Sequence, residues 1–127
     1  MWGLSLLFLL IAVSLTGSCA DPATEAREQQ VRGESAYATY CASCHEIDGG
    51  IGPRLRPPVL ATRMTAAALL TYNRRNMPYQ AGQTLPIEMY VDITAYLLVR
   101  GGFVDSTRVF LEAEAERITL TAPPPSE

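Results

Sequence analysis

Five consecutive residues hold the densest chemistry in this chain: Cys41-Ala42-Ser43-Cys44-His45. Two thiols three positions apart, followed at once by an imidazole, fit four kinds of site. A structural zinc ion needs four protein ligands, but His45 is the only histidine and no third cysteine stands near the pair. A thioredoxin-like redox pair uses the same C-x-x-C spacing within a βαβ context that the surrounding sequence lacks. A structural disulfide accounts for the cysteines and leaves the histidine without a role. C-x-x-C-H is also the attachment signature for c-type haem. On a helical turn, sulfurs at i and i+3 share one face and can add to the two vinyl groups of one porphyrin. His45 would then be held beneath the ring, with an imidazole nitrogen on the iron.

The start of the chain decides between these. From Trp2 to Leu15, eleven of fourteen residues are apolar. That is the length of a secretory h-region and falls short of the ~20 residues of a membrane-spanning helix. Small residues follow from Thr16 to Ala20, and two cleavage readings compete. Cutting after Ala20 leaves 107 residues; cutting before Cys19 leaves 109 and a cysteine free to take lipid. The stretch Leu15-Thr16-Gly17-Ser18-Cys19 resembles a bacterial lipobox, with Thr16 where Leu is usual. An uncleaved anchor is a third reading. All three export the body of the protein, into the periplasm or beyond. Export places the chain where c-type haem is attached, and haem c becomes the leading cofactor, bound through Cys41 and Cys44.

Composition agrees with one small domain. The chain has 127 residues, 48% of them apolar and 18% charged, which is ordinary for a globular protein. A net charge of −3 and a pI near 5.1 exclude a nucleic-acid binder that works by neutralising phosphates. Every basic residue is an arginine, so no docking surface can rest on lysines. No repeat of 20–50 residues is present.

Further residues flank the motif at telling intervals. Gly33 and Tyr37 stand eight and four positions before Cys41. Gly49-Gly50-Ile51-Gly52-Pro53-Arg54-Leu55 follows it, then Met77-Pro78, then Ala95-Tyr96-Leu97-Leu98. In that order and spacing the sequence resembles a class I bacterial cytochrome c over residues 33–102. The resemblance implies an all-α fold of about three principal helices wrapped around one covalent haem, with long loops. With the export segment, the chain divides into a signal peptide (1–20, or of lipoprotein type cut before Cys19), a cytochrome c domain (21–102) and a C-terminal extension (103–127). The resemblance implies Met77 as the iron ligand opposite His45, and the Pro53 carbonyl as acceptor for the second imidazole nitrogen. It also implies that Gly33 lets the first and last helices cross closely, with Tyr37 and Tyr96 alongside. A similar extension follows the last helix in some cytochromes that serve periplasmic quinoprotein dehydrogenases.

Local signals place the elements. Glu25 to Tyr40 favours a helix that breaks at Gly33, since glycine costs ~1 kcal/mol relative to alanine there. Thr65 caps a helix running to about Arg74. Pro86 opens a helix that carries apolar or aromatic residues at Ile87, Tyr90, Val91, Ile93, Leu97 and Leu98, and Gly101-Gly102 ends it. A weak strand signal covers Ile118 to Leu120. The end, Pro123 to Glu127, reads as frayed.

Three methionines of the mature chain compete for the iron. Met89 falls on the last helix, where methionine usually fills space. Met64 precedes the middle helix and is the runner-up. Met77 lies 32 residues past His45, in a segment where Asn76 replaces a customary glycine and tolerates left-handed backbone. Glu46, directly after His45, also departs from the family's usual glycine and puts a charge near the haem edge. With Met77 bound, the protein is a carrier of single electrons rather than an enzyme, its partners redox proteins such as a periplasmic dehydrogenase or a terminal oxidase. Two readings stay open beside it: a haem enzyme or gas-binding protein with a vacant distal face, and a fixed haem subunit of a dehydrogenase or oxidase complex.

Charge is uneven along the chain. From His45 to Gln80 five arginines (54, 56, 63, 74 and 75) face two acids, whereas after Gln80 three arginines face seven acids. One or two of the five would neutralise the haem propionates. The remainder would steer an acidic partner.

Overall fold

Pro22, Pro57 and Pro86 each stand at or just before the first turn of a helix, where a missing N–H costs no hydrogen bond. The computed structural model describes residues 20–121; the export segment with Cys19 and the proline-rich end lie outside them. Its helices are α1 (Pro22–Tyr40), α2 (Ala42–His45), α3 (Pro57–Ala61), α4 (Ala66–Asn76) and α5 (Ile87–Arg100), followed by a 3-10 turn over Glu112–Arg117. Among the described residues there is no β-strand, and the fold is all-α, with α1, α4 and α5 as its principal helices. No helix among the described residues is long and apolar enough to cross a membrane.

The α1–α5 crossing organises the rest. Ala26, Gln29, Gly33, Ala36 and Tyr37 lie buried along α1 at three- and four-residue steps, one face of a helix. A side chain at Gly33 would collide with the Asp92 carbonyl and stand 2.9 Å from Tyr96 Cβ. Only a bare Cα lets α5 come this close. The Asp92 carboxylate closes the same contact from the other side, accepting from Arg32 Nε at 2.7 Å and Nη2 at 3.3 Å. Tyr37 and Tyr96 pack one helical turn away, ring centroids 5.3 Å apart and planes tilted by 46°. The expected break at Gly33 is absent, and α1 runs through it without interruption. Packing against α5 outweighs the ~1 kcal/mol propensity cost of a helical glycine.

Thr65 caps α4 as its residue type demands, its hydroxyl accepting from Ala68 N at 3.1 Å. The tail then returns over the domain. Gln29 exchanges two hydrogen bonds with the Phe110 backbone, at 3.0 and 2.8 Å, and Phe110, Ala115 and Leu120 are buried. At its end, Ala66 N donates to Ile118 O and Leu120 N donates to Met64 O. The strand expected at Ile118 to Leu120 is therefore one isolated bridge, between Thr65 and Thr119. It cannot lengthen, because its partner segment enters α4 at Ala66.

Replacing Gly33 with Ala forces α5 to move off a backbone carbonyl rather than off a flexible side chain. The expected loss is about 3 kcal/mol, the upper end for overpacking, read by urea unfolding. Wild-type stability in Gly33→Ala would contradict the close crossing.

Candidate functional site

The end of α1 hands the chain directly to the cysteine motif. Cys41 N donates to Tyr37 O, and the Cys41 carbonyl accepts from both Cys44 N (3.1 Å) and His45 N (3.0 Å). This tight turn sets Cys41, Cys44 and His45 on α2 and the residue before it. The two sulfurs form no disulfide, and both cysteines are half-buried.

The loop after the motif folds back under the histidine. Gly52 N donates to Cys44 O at 3.1 Å, bringing Pro53 O within 2.6 Å of His45 Nδ1. A carbonyl can only accept, so Nδ1 carries a proton, and in the neutral imidazole this leaves the lone pair on Nε2. Gly52 makes this possible: a methyl group there would stand 2.6 Å from Nδ1 and 3.0 Å from Nε2.

His45, Pro53, Cys41 and Met77 line one cleft of about 710 Å³, counted to its open mouth. Its walls are Leu55, Val59, Leu60, Leu69, Ile93 and Leu97. A second hollow shares Cys41, His45, Pro53, Tyr72 and Met77 with it and adds Cys44, Tyr40, Ile51 and Tyr79. Cys41, His45 and Met77 thus line both hollows, and Cys44 lines the second. The donor set and the space fit a covalently bound haem. Among the described residues, no three His, Cys, Asp or Glu side chains gather to hold a bare metal ion.

The other methionines stand elsewhere. Met64 is 71% exposed and lines neither hollow; Met89 is partly buried against the core. Met77 follows the last turn of α4, its N–H bonded to Asn73 O, and its peptide to Pro78 is cis.

Several side chains shape the site through partners that the sequence does not reveal. Tyr90 is buried in the cleft and donates its hydroxyl to Met77 O at 2.7 Å. Arg63 stacks its guanidinium 3.4 Å from the Tyr72 ring centroid. Glu46 accepts from Tyr37 Oη at 2.6 Å and Arg100 Nη1 at 2.7 Å, so it ties the motif to α1 and to the end of α5. These bonds hold its carboxyl near 2, well below the ordinary 4.5, with Arg100 the larger cause and Tyr37 the next. Burial, and then the bond to Glu46, raise the Tyr37 hydroxyl against the opposing effect of Arg100.

The run of arginines does not form one cationic face. Arg54 bonds Asp48 at 2.7 Å and approaches Glu46, and Arg74 meets Glu112 of the tail at 3.2 Å. Tertiary folding brings acids from outside and within the segment to these two, while Arg56 and Arg75 stay exposed. Of the five, Arg63 alone lines the cleft.

Residues 28–97, more than half of the chain, match the family described as cytochrome c oxidase, cbb3-type, subunit III. The chain belongs to this family. It is a c-type cytochrome, with haem c attached through Cys41 and Cys44, and its function is haem electron transfer. The matched span of this cbb3-type family starts in α1 and ends within α5, enclosing the cleft and excluding the tail. No curated protein and no solved structure matches the chain.

Glu46→Gln is expected to cost about 1–2 kcal/mol, the range for hydrogen bonds to a charged group that is partly solvated. The folded carboxyl titrates below its ordinary value, so its contribution is complete above pH 4.5 and fades as pH falls toward 2. Denaturant unfolding of both proteins across that window should show the stability gap closing; a gap independent of pH would contradict it.

Proposed function

We propose that the protein is an exported carrier of single electrons whose iron is held between His45 and Met77. The observation that carries this reading is the shared cleft: His45 and Met77 line the same apolar space as Cys41. Haem c, when bound there, supplies the Fe(III)/Fe(II) couple. Pro53 holds the proton on Nδ1 and so presents the Nε2 lone pair to the metal. Met77 brings a neutral sulfur donor, which favours the reduced form relative to a second imidazole. Leucine and isoleucine walls exclude water and disfavour the more highly charged oxidised state. Arg63, stacked on Tyr72 in the cleft wall, would be the arginine to neutralise a haem propionate. With His45 and Met77 both holding the iron, no coordination site would be left for a substrate, which would separate a carrier from a haem enzyme.

Electrons would leave where Tyr40, Ile51 and Tyr79 stand exposed around the Cys44 side of the cleft. The nearby arginines are partly neutralised, so this contact depends more on apolar fit than on steering. The family's description names a subunit of an oxidase, and that favours a terminal oxidase over a dehydrogenase as partner. The same description supports the second reading, a haem subunit fixed within an oxidase complex. Export through residues 2–20, periplasmic residence and a lipid on Cys19 complete the proposal.

Two measurements test it. Reduced wild-type protein should exclude carbon monoxide, as should Met64→Ala and Met89→Ala, whereas Met77→Ala should bind it readily and show a lower potential. Rapid carbon monoxide binding by the wild type would replace the carrier with an open-iron protein. Mass spectrometry of the mature N-terminus should find diacylglyceryl-modified Cys19; an unmodified start at Asp21 would leave a soluble protein, and an intact Met1 would overturn processing.

A further inference from the structure

Met77 is fastened at both of its backbone groups. Its N–H donates to Asn73 O at 3.0 Å, and its carbonyl accepts from the Tyr90 hydroxyl at 2.7 Å. Asn73 is buried and fixed in turn, its Nδ2 donating to Thr94 Oγ1 at 3.2 Å. Tyr90 and Thr94 lie four residues apart on α5, hence on one face. Both are deeply buried, at 3% and 0% exposure. Two hydroxyls from one turn of α5 therefore grip the exit of α4, one at Asn73 and one at Met77 itself.

Core packing alone does not call for them. Phenylalanine and valine would fill the same volumes without placing polar atoms in the interior, where an unpaired hydroxyl is costly. The hydroxyls have their partners, and both partners belong to the segment from Asn73 to Met77. The loop beyond is tied back to both helices, Gln83 N donating to Arg74 O at 2.8 Å and Leu85 N reaching the same Tyr90 oxygen at 3.4 Å. The α5 hydroxyls thus act where α4 gives way to this loop, with Met77 at the junction.

We infer that Tyr90 and Thr94 are positioning residues that fix how Met77 is presented to the iron, and so set how readily the sixth position opens. The inference rests on the ligation proposed above. Without the Tyr90 hydroxyl the Met77 carbonyl loses its buried donor; without the Thr94 hydroxyl the Asn73 side chain loses its acceptor. In either case Met77 keeps its sulfur but is held less firmly, and the open form gains population. An added ligand then binds more tightly in proportion to that population.

The test uses ferric holoprotein titrated with imidazole, together with the far-red absorption band of a sulfur–iron(III) bond. Tyr90→Phe and Thr94→Val should retain the band yet bind imidazole about fivefold to tenfold more tightly, the effect of one net hydrogen bond. Thr94→Ser, which keeps the hydroxyl, should bind as the wild type does. Tyr96→Phe, on the same helix but packed on Tyr37, should also be unchanged. A banded wild type with affinities in Tyr90→Phe and Thr94→Val unchanged would overturn this inference alone, and so would an equal rise in Tyr96→Phe. A wild type lacking the band would overturn the ligation reading, and this inference with it. Should Thr94→Val fail to fold, Tyr90→Phe decides.

Discussion

Everything that matters at the site hangs from the close crossing of α1 and α5. Where Gly33 meets the Asp92 carbonyl, two helices approach to backbone contact and fix each other's rotation. From that point α1 runs to Cys41, which begins the attachment motif, while α5 carries Tyr90 and Thr94 toward Met77. The two sides of the cleft are thus set by one contact that a single methyl group would spoil. Glu46 ties the second end of the same pair, through Tyr37 on α1 and Arg100 on α5, so the motif cannot shift without straining both helices.

A site assembled this way divides into local and remote parts. The Cys41–Cys44–His45 turn and the return of Gly52 and Pro53 beneath it lie within thirteen residues. Their geometry follows from chain connectivity, so residue types and spacing expose it. The Thr65 cap, Pro86 and the glycines after α5 were legible for the same reason. What the sequence concealed depends on partners far along the chain. Tyr90 reads as one more apolar position on α5 until the fold sets its hydroxyl on Met77 O. Glu46 reads as a departure from pattern until Arg100, 54 residues away, reaches it. Gly33 misled in the other direction, since propensity described an isolated helix and packing supplied the compensation. Summed charges misled as well: Glu112 comes from the tail to neutralise Arg74, which no tally of a contiguous segment could register.

The tail adds a second layer of constraint outside the family match. Gln29 clamps the Phe110 backbone to α1, and the backbone near Leu120 closes against Met64 and Ala66 at the start of α4. The extension thereby braces the helix whose other end delivers Met77. In a domain this small, such bracing adds to what one core can bury. An electron carrier gains from this rigidity, because ligands that stay in place through oxidation and reduction leave little structure to rearrange with each transfer.

The account as a whole turns on the sulfur of Met77 standing against the iron opposite His45. Proton NMR of the reduced protein addresses this with a single resonance, since a methyl group held over the porphyrin face is shifted far upfield of all other signals. The wild type should show one such three-proton singlet, retained when Met64 or Met89 is replaced by Ala and lost when Met77 is. An upfield methyl that survives Met77→Ala, or a wild type with none, would contradict the account.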